Sequence, residues 1–276
     1  MSTEGRRQAR FSVVLVLLAA AFLYLPIAVL AIYSFNASSL ATVWEGFSTR
    51  WYAELAQDDE LISAARLTLE IAVLTALSSA FAGGWIGYVL ARRGRFRLHL
   101  LFGALVHAPM VIPEVIQGIA LLLLFVTLQH LTGWPENLGL LSIWLGHTVM
   151  CASFVALVVQ ARVHELDPRI EEAAVNLGAR PLKAFITVVL PQLSASLVSG
   201  ALLSFAISAD DLVLSSYLAG PGNTTLPMLV FSRIRIGLNP EMNALATLFL
   251  LVVTLAVLGM TMAARMNRQR RLHRVS

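Results

Sequence analysis

Three carboxylates stand inside long apolar stretches of this 276-residue sequence: Glu114, Asp210 and Asp211. A charge in such a stretch is costly, so each is a candidate for attracting a cation or pairing with a buried partner. Neighbouring residues of a helix point about 100° apart, so Asp210 and Asp211 cannot share one role. Asp211 lies with Ser208 on a small, polar helix face. We assign the cation-attracting role to that face and packing hydrogen bonds to Asp210; the alternative for Asp211 is a cap or an interhelical hydrogen bond.

Glu114 is the second candidate because of the prolines that precede it. Pro113 comes directly before it, and Pro109 lies near the same position. Two prolines in one apolar stretch interrupt the backbone hydrogen bonds of a helix and usually mark a helix bent around a cavity. We therefore predict that Glu114 faces such a cavity.

The motifs of common nucleotide and metal sites are missing from the sequence. Its one lysine, Lys183, follows Leu182, so no Walker A sequence is present. His164-Glu165 lacks the second histidine of a zinc-protease motif, and no cluster has metal-ligand spacing. We expect no metal site, no catalytic residues and no cofactor on this chain. If ATP drives its activity, ATP and Mg bind to a partner chain.

The composition is that of a protein whose solvent is largely lipid. Hydrophobic residues make up 58% and charged residues 13%, against about 45–50% and 25% in soluble domains. About 20 apolar residues in a helix cross a bilayer core. The sequence predicts an all-α integral membrane protein, a single domain over 1–276, with six transmembrane helices: Phe11–Phe35, Ile71–Ala91, Leu100–Leu128, Leu138–Ala161, Val188–Leu218 and Met242–Ala264.

The positions of the arginines predict the orientation of these helices. All but four of the 20 basic residues lie in segments that six spans place on one side of the membrane; the exceptions are Arg50, Arg66, Arg233 and Arg235. By the positive-inside rule, both termini are cytoplasmic. The sequence pI of about 9.7 therefore reflects cytoplasmic loops, and we expect no nucleic-acid partner.

The cytoplasmic segment 162–191 has the signals of a helical hairpin. Asp167 is a good N-cap and Pro168 suits the first helical position. Gly178 can end the helix in a left-handed turn, and Pro181 can open the next one. An apolar face opposes a polar side with a pair of glutamates, which anionic lipid would repel. We therefore predict a docking surface for a cytoplasmic partner, with these residues on the two faces: Ile170, Ala173, Ala174 and Leu177; Glu171 and Glu172.

The same segment resembles the EAA loop of binding-protein-dependent ABC importer permeases. Glu172-Ala173-Ala174, Gly178 and Leu190-Pro191 match that motif, with Val188 where isoleucine is usual. The resemblance covers residues 66–264, the five-helix core of the family, with the span at 11–35 additional. It implies a type I importer permease fold whose coupling helix seats in an ATPase subunit. On this interpretation the ATPase-coupling residues are Glu171, Glu172, Ala173, Ala174, Gly178, Leu190 and Pro191.

Within that family the sequence is most similar to the second permease of putrescine/spermidine importers. Three stretches carry this likeness: Ser208–Val213, Gly220–Met228 and Asn239–Thr247. It implies a bacterial inner-membrane permease that carries a polyamine and works with a second homologous permease, two cytoplasmic ABC ATPases and a periplasmic polyamine-binding protein. The substrate-pathway candidates are then Asp211, Asp210, Glu114 and Ser208. The loop facing the binding protein is Gly220, Pro221, Gly222, Asn223 and Thr224.

Two other functions stay open on the sequence alone. The chain could be an ABC permease for another cationic or small solute. It could also be an ion-coupled secondary carrier in which Asp210 and Asp211 relay protons, although the paired broken helices of inverted repeats are not evident. Transport that requires ATP would separate the permease from the carrier.

Overall fold

A computed structural model describes residues 3–40, 43–92, 97–237, 240–251 and 254–255, without the side chains of 3–11. These ranges are helical, with no strands; an isolated antiparallel bridge pairs Asn36 with Phe47. The helices are α1 Thr3–Tyr33, α2 Arg50–Leu55, α3 Asp59–Arg92, α4 His99–Val111, α5 Glu114–Thr132, α6 Leu140–Glu165, α7 Pro168–Asn176, α8 Pro181–Ala184, α9 Leu190–Asp210, α10 Val213–Leu218 and α11 Leu226–Ile236. A further described helix, α12, covers 240–251.

Five stretches of helix in the described ranges are long and apolar enough to cross a membrane. Four match predicted spans one, two, four and five, and the fifth is the second half of predicted span three. The remainder of predicted span six, beyond residue 255, lies outside the described residues. The five stretches are Ser12–Tyr33, Asp59–Arg92, Glu114–Thr132, Leu140–Glu165 and Pro181–Asp210.

Predicted span three, Leu100–Leu128, is two helices instead of one. Helix α4 ends at Val111, and Ile112 has extended backbone angles (φ −74°, ψ 129°) before Pro113. A proline sterically disfavours helical angles in the residue before it, which accounts for the break. The Gln117 amide then donates hydrogen bonds to the carbonyl oxygens of Pro109 and Ile112, at 2.8 and 2.7 Å. One side chain thus satisfies two backbone acceptors at the break.

Predicted span five, Val188–Leu218, also differs from a continuous helix. Its start overlaps a π turn, Phe185–Val189, in which the Leu190 amide bonds to the Phe185 carbonyl. Pro191 follows and has no amide hydrogen to donate, so the regular ladder is already interrupted there. At its other end α9 stops at Asp210, and Asp211 is extended (φ −69°, ψ 122°). The helix face predicted to carry both Ser208 and Asp211 therefore ends before Asp211.

The described residues form two compact units, one from those within 60–229 and one from those before residue 60 together with those after residue 229. In the 60–229 unit, α6 packs along α9, and α10 packs against α5 and α6. Helix α3 lies very close to α6, because a Cβ atom on Gly83 or Gly87 would come within 3.0 Å of an α6 carbonyl oxygen. Small residues four apart allow this kind of backbone contact between helices in lipid.

The unit formed by the terminal segments contains buried and partly buried polar contacts. The Trp51 indole N–H donates to the Asn36 carbonyl at 2.8 Å. Arg233 lies between two carboxylates, 2.5 Å from Asp58 and 3.4 Å from Glu241. These contacts fix α2 and the start of α12 beside the end of α11.

Candidate functional site

The hairpin predicted from capping signals is present in the structure. The Asp167 carboxylate accepts the Arg169 amide at 2.9 Å, and Pro168 opens α7. Gly178 has φ +91°. Its amide bonds to the Val175 carbonyl, and the Ala179 amide bonds to the Ala174 carbonyl, five residues earlier. This pair of bonds is the Schellman arrangement, which needs a left-handed residue where Gly178 stands. Helix α7 and α8 are called the α7–α8 hairpin below.

The predicted apolar face of the hairpin is open rather than packed within its own chain. Helix α7 contains no buried residue. Leu177 is 89% exposed, Leu182 at the start of α8 is 63% exposed, and Ile170 is also exposed. Glu172 and Ala173 are exposed beside them. A face of this kind, with apolar side chains rimmed by a carboxylate, is typical of a surface that another protein covers.

Glu171 differs from its neighbour because it is bonded to α3. The Tyr88 hydroxyl donates to Glu171 Oε1 at 2.5 Å, and Arg92 Nε lies 3.5 Å from Oε2. Both glutamates were predicted on the polar side of the hairpin; Glu172 is exposed there, whereas Glu171 is turned towards α3. Beside this contact a groove of about 630 Å³ lies between α3 and the hairpin, with Trp85 and Phe185 in its wall.

The remaining motif residues lie on or beyond the hairpin. Ala174 is half-buried and Gly178 is exposed at the turn. Leu190 and Pro191 lie past the π turn, in the first turn of α9, where Leu190 is half-buried and Pro191 exposed. The structure therefore divides the motif into an exposed hairpin and the entry of α9.

A buried polar cluster joins α6 to the interruption between α9 and α10. His147 Nδ1 lies 2.7 Å from Ser208 Oγ, and Nε2 lies 3.1 Å from Asp211 Oδ2 and 3.3 Å from Ser215 Oγ. The Asp211 carboxylate also accepts the amides of Leu214 and Ser215, at 3.2 and 2.7 Å. From one residue before the N-cap position, Leu212, it therefore satisfies two amides in the first turn of α10 and also faces His147.

The two adjacent aspartates have opposite surroundings. The Asp211 side chain is only 3% exposed, and Ser208 is buried with it. Asp210 is exposed on the last turn of α9. The alternatives weighed for Asp211, a cap and an interhelical hydrogen bond, are both present, and the packing hydrogen bonds assigned to Asp210 stay a prediction.

Glu114 lies at the break predicted from its prolines. It is exposed, and it opens α5 beside a cavity of about 350 Å³. Gln117, Met150, Phe154 and Ile207 also line that cavity. A carboxylate in the first turn of a helix is favoured by the helix dipole, and here it also borders open space. A cavity is thus present at the break between α4 and α5, and a role of Glu114 in the substrate pathway stays a prediction.

The loop Gly220–Thr224 forms the turn that its residues predict. The Asn223 amide bonds to the Gly220 carbonyl at 3.1 Å, and Gly222 has φ +77°. Proline followed by glycine at the two central positions is the pattern of a type II turn. Pro221, Gly222 and Thr224 are exposed at its tip.

Four side chains outside the predicted site residues organise these sites: His147, Gln117, Tyr88 and Arg92. Polar groups buried in spans must find partners, so the polar face around Ser208 was a signal that a second polar residue such as His147 would meet it. The contacts of Tyr88 and Arg92 with Glu171 had no such signal. In the described part of the chain, no group of three or more His, Cys, Asp or Glu residues could hold a metal ion.

A family model matches this chain over residues 83–272, and its description is "Binding-protein-dependent transport system inner membrane component". The match includes the α7–α8 hairpin, the buried His147 cluster and the cavity beside Glu114. It covers more than half of the chain, so it bears on the whole fold and not on one motif.

Two relatives from Escherichia coli strain K12 are similar over nearly their whole length. The putrescine transport system permease protein PotI is 51% identical over 259 residues, which are 94% of this chain and 92% of that protein. The spermidine/putrescine transport system permease protein PotC is 35% identical over 245 residues, 89% of this chain and 90% of that protein.

A solved structure has the same fold with little sequence similarity. It is a chain of a bacterial ABC transporter involved in the import of the acidic polysaccharide alginate, with a TM-score of 0.72 and 15% identity. The alignment covers 96% of this chain and 98% of that chain. At this identity the likeness concerns the fold alone.

Proposed function

The chain belongs to the family of binding-protein-dependent transport system inner membrane components, and on that premise we propose that it is a permease subunit of an ATP-driven importer of putrescine or spermidine. The observation that carries the proposal is the 51% identity with a putrescine permease over 94% of the chain. The exposed α7–α8 hairpin supplies the surface that a separate motor would need.

In this proposal the hairpin couples the permease to its ATPase. Leu177, Leu182 and Ile170 present apolar side chains to a partner, and Glu172 offers a carboxylate at the rim of that surface. Gly178 forms the turn of the hairpin. Movement of the hairpin reaches α9 through its first turn, which contains Leu190 and Pro191. Ala173 and Ala174 keep the hairpin thin enough to enter a cleft. ATP and Mg bind to the partner, and this subunit has no catalytic residues of its own.

We further propose that the substrate passes the break at Glu114. An exposed carboxylate within a span is costly in lipid, so Glu114 and Asp210 are expected to face water or a protein partner. Both carry a negative charge, which attracts a di- or polycation. Asp211 and Ser208, which the sequence placed on the pathway, are buried here by His147 and shape the interruption after α9. A direct contact between Asp211 and substrate stays a prediction.

The assembly follows from the same premise. The chain crosses the bacterial inner membrane six times with both termini in the cytoplasm. It pairs with a second homologous permease, two copies of an ABC ATPase bind beneath, and a periplasmic polyamine-binding protein docks on the loop Gly220–Thr224. The exposed turn at Pro221 and Gly222 supports that last contact.

Reconstitution of the purified complex in proteoliposomes tests the function. With polyamine-loaded binding protein on one side and ATP on the other, labelled putrescine should accumulate, and accumulation should stop when ATP is replaced by a non-hydrolysable analogue. Uptake by this chain alone under a proton gradient would contradict the proposal and favour an ion-coupled carrier. ATP-driven uptake of a different cation, with no competition by putrescine, would retain the permease and replace its substrate.

A further inference from the structure

Glu171 connects the α7–α8 hairpin to the end of α3. The side chains of Arg92 and Glu171 are only 16% and 24% exposed, and the Tyr88 hydroxyl shares the same carboxylate. Hydrogen bonds to a charged acceptor are roughly twice as strong as neutral ones, and partial burial protects them from screening. Glu171 was predicted to be an ATPase-coupling residue although the residues that match the family motif begin at Glu172, and its contact with α3 is not part of that motif.

An aromatic cluster lies directly beside this contact. The rings of Trp85, Tyr88 and Phe185 have centroids 4.7 to 6.2 Å apart. Phe185 is the first residue of the π turn, and Tyr88 is the donor to Glu171. The end of α3 therefore contacts the hairpin through Glu171 and the start of the π turn through the aromatic rings.

Helix α3 cannot shift independently of its neighbours at this end. Gly83 and Gly87 bring its backbone against the carbonyl groups of α6. Tyr88 and Phe185 also pack on a buried cluster from α6, the π turn and α9, which contains Val155, Val159, Val163, Val189 and Leu193. A displacement of the Tyr88 side chain therefore acts on α3, to which Tyr88 belongs, and on α6 and α9, which pack against it.

The covalent route from the hairpin to α9 is not a regular α-helix. It passes through the π turn, Phe185–Val189, and such an interruption is where a helix bends most easily. We infer that Glu171, held by Tyr88 and Arg92, is a positioning link that transmits movement of the docked hairpin to α3 and so to α6 and α9. The inference rests on the proposed function, since the movement comes from an ATPase.

The test uses the whole complex in proteoliposomes, with putrescine uptake and ATP hydrolysis measured in the same sample. Tyr88→Phe removes one hydroxyl, and Glu171→Gln removes the charge. Each is expected to lower the uptake per ATP hydrolysed about tenfold while hydrolysis continues, the factor expected on losing a charge-assisted hydrogen bond. The exchange Arg92→Glu with Glu171→Arg should recover part of the lost ratio, because the attraction is restored with reversed sign.

Glu165→Gln is the matched control. Glu165 also pairs with an arginine, Arg162, at 2.7 Å, but that pair is exposed and joins neighbouring turns of one helix. Its loss should leave the ratio unchanged. An unchanged ratio in both Tyr88→Phe and Glu171→Gln overturns the link, and if Glu171→Gln does not assemble, Tyr88→Phe decides alone. A wild-type complex that imports no polyamine with ATP contradicts the proposed function instead.

Discussion

Asp210 and Asp211 are adjacent in the chain, yet Asp210 is exposed and Asp211 is buried in a polar cluster. Asp211 accepts two backbone amides and faces the His147 ring, whereas Asp210 is exposed. The difference arises because α9 ends between them, so Asp211 turns inward to cap α10. At the scale of single residues, the charge that shapes the fold and the charge available to a solute are therefore separate.

Substitution by asparagine should distinguish the two aspartates. Asp211→Asn keeps the size but replaces one accepting oxygen with a donor, so we expect the free energy of unfolding to fall by about 1–3 kcal/mol. Asp210→Asn should change it by less than about 0.5 kcal/mol. Thermal unfolding in detergent measures both. Equal stability of the two variants would show that the buried cluster is not a stabilising unit.

Glu114 gives a prediction about transport rather than stability. Glu114→Gln should reduce putrescine uptake about tenfold or more at low substrate concentration, because the carboxylate at the break no longer attracts a cation. The rate of ATP hydrolysis without substrate should be unchanged. Glu136→Gln, an exposed carboxylate beyond the end of α5, is the control. Normal uptake by Glu114→Gln would remove Glu114 from the pathway.

Among the helices, the α7–α8 hairpin shows how local chemistry defines an exposed structure. Its N-cap, its proline and its left-handed glycine each lie within a few residues of the groups that they satisfy. Its apolar side chains are nevertheless left uncovered. The hairpin is thus ordered by its own caps and open for a partner, which is what a coupling element requires.

Substitutions of Gly178 test whether the ATPase binds the hairpin only when its turn is intact. Gly178→Val places a β-branched residue at φ +91°, at a cost of about 1–3 kcal/mol, so we expect loss of the turn and of co-purification with the ATPase. Gly178→Asn should retain most binding, since asparagine tolerates left-handed backbone. Pull-down of the ATPase from detergent extracts measures both. Full assembly and transport by Gly178→Val would refute the coupling role.

For the whole molecule, the proposed orientation places the hairpin and the loop Gly220–Thr224 on opposite sides of the membrane. The native Cys151 is buried, so it contributes little to labelling by a membrane-impermeant maleimide. In intact spheroplasts we expect Pro221→Cys to be labelled, and Glu172→Cys to be labelled only after permeabilisation. Labelling of both from one side would contradict the six-span topology.

The sequence by itself determined the class of the protein, the approximate spans and the hairpin. Composition, charge distribution and capping are local or summed properties, so they can be read without knowing what the chain meets after folding. The proline break at Glu114 was predicted for the same reason. In the described ranges these features persist, although span three is divided and span five ends at Asp210.

Only the tertiary structure decided which charged side chains are bonded to other helices and which are exposed. Asp211 meets His147 across 64 residues of chain, and Tyr88 meets Glu171 across 83. Helical periodicity gives the face on which a side chain stands, but the partner opposite that face depends on how α3, α6 and α9 pack. That is why Glu171 could be placed on a polar face from its sequence, while its bond to α3 could not be.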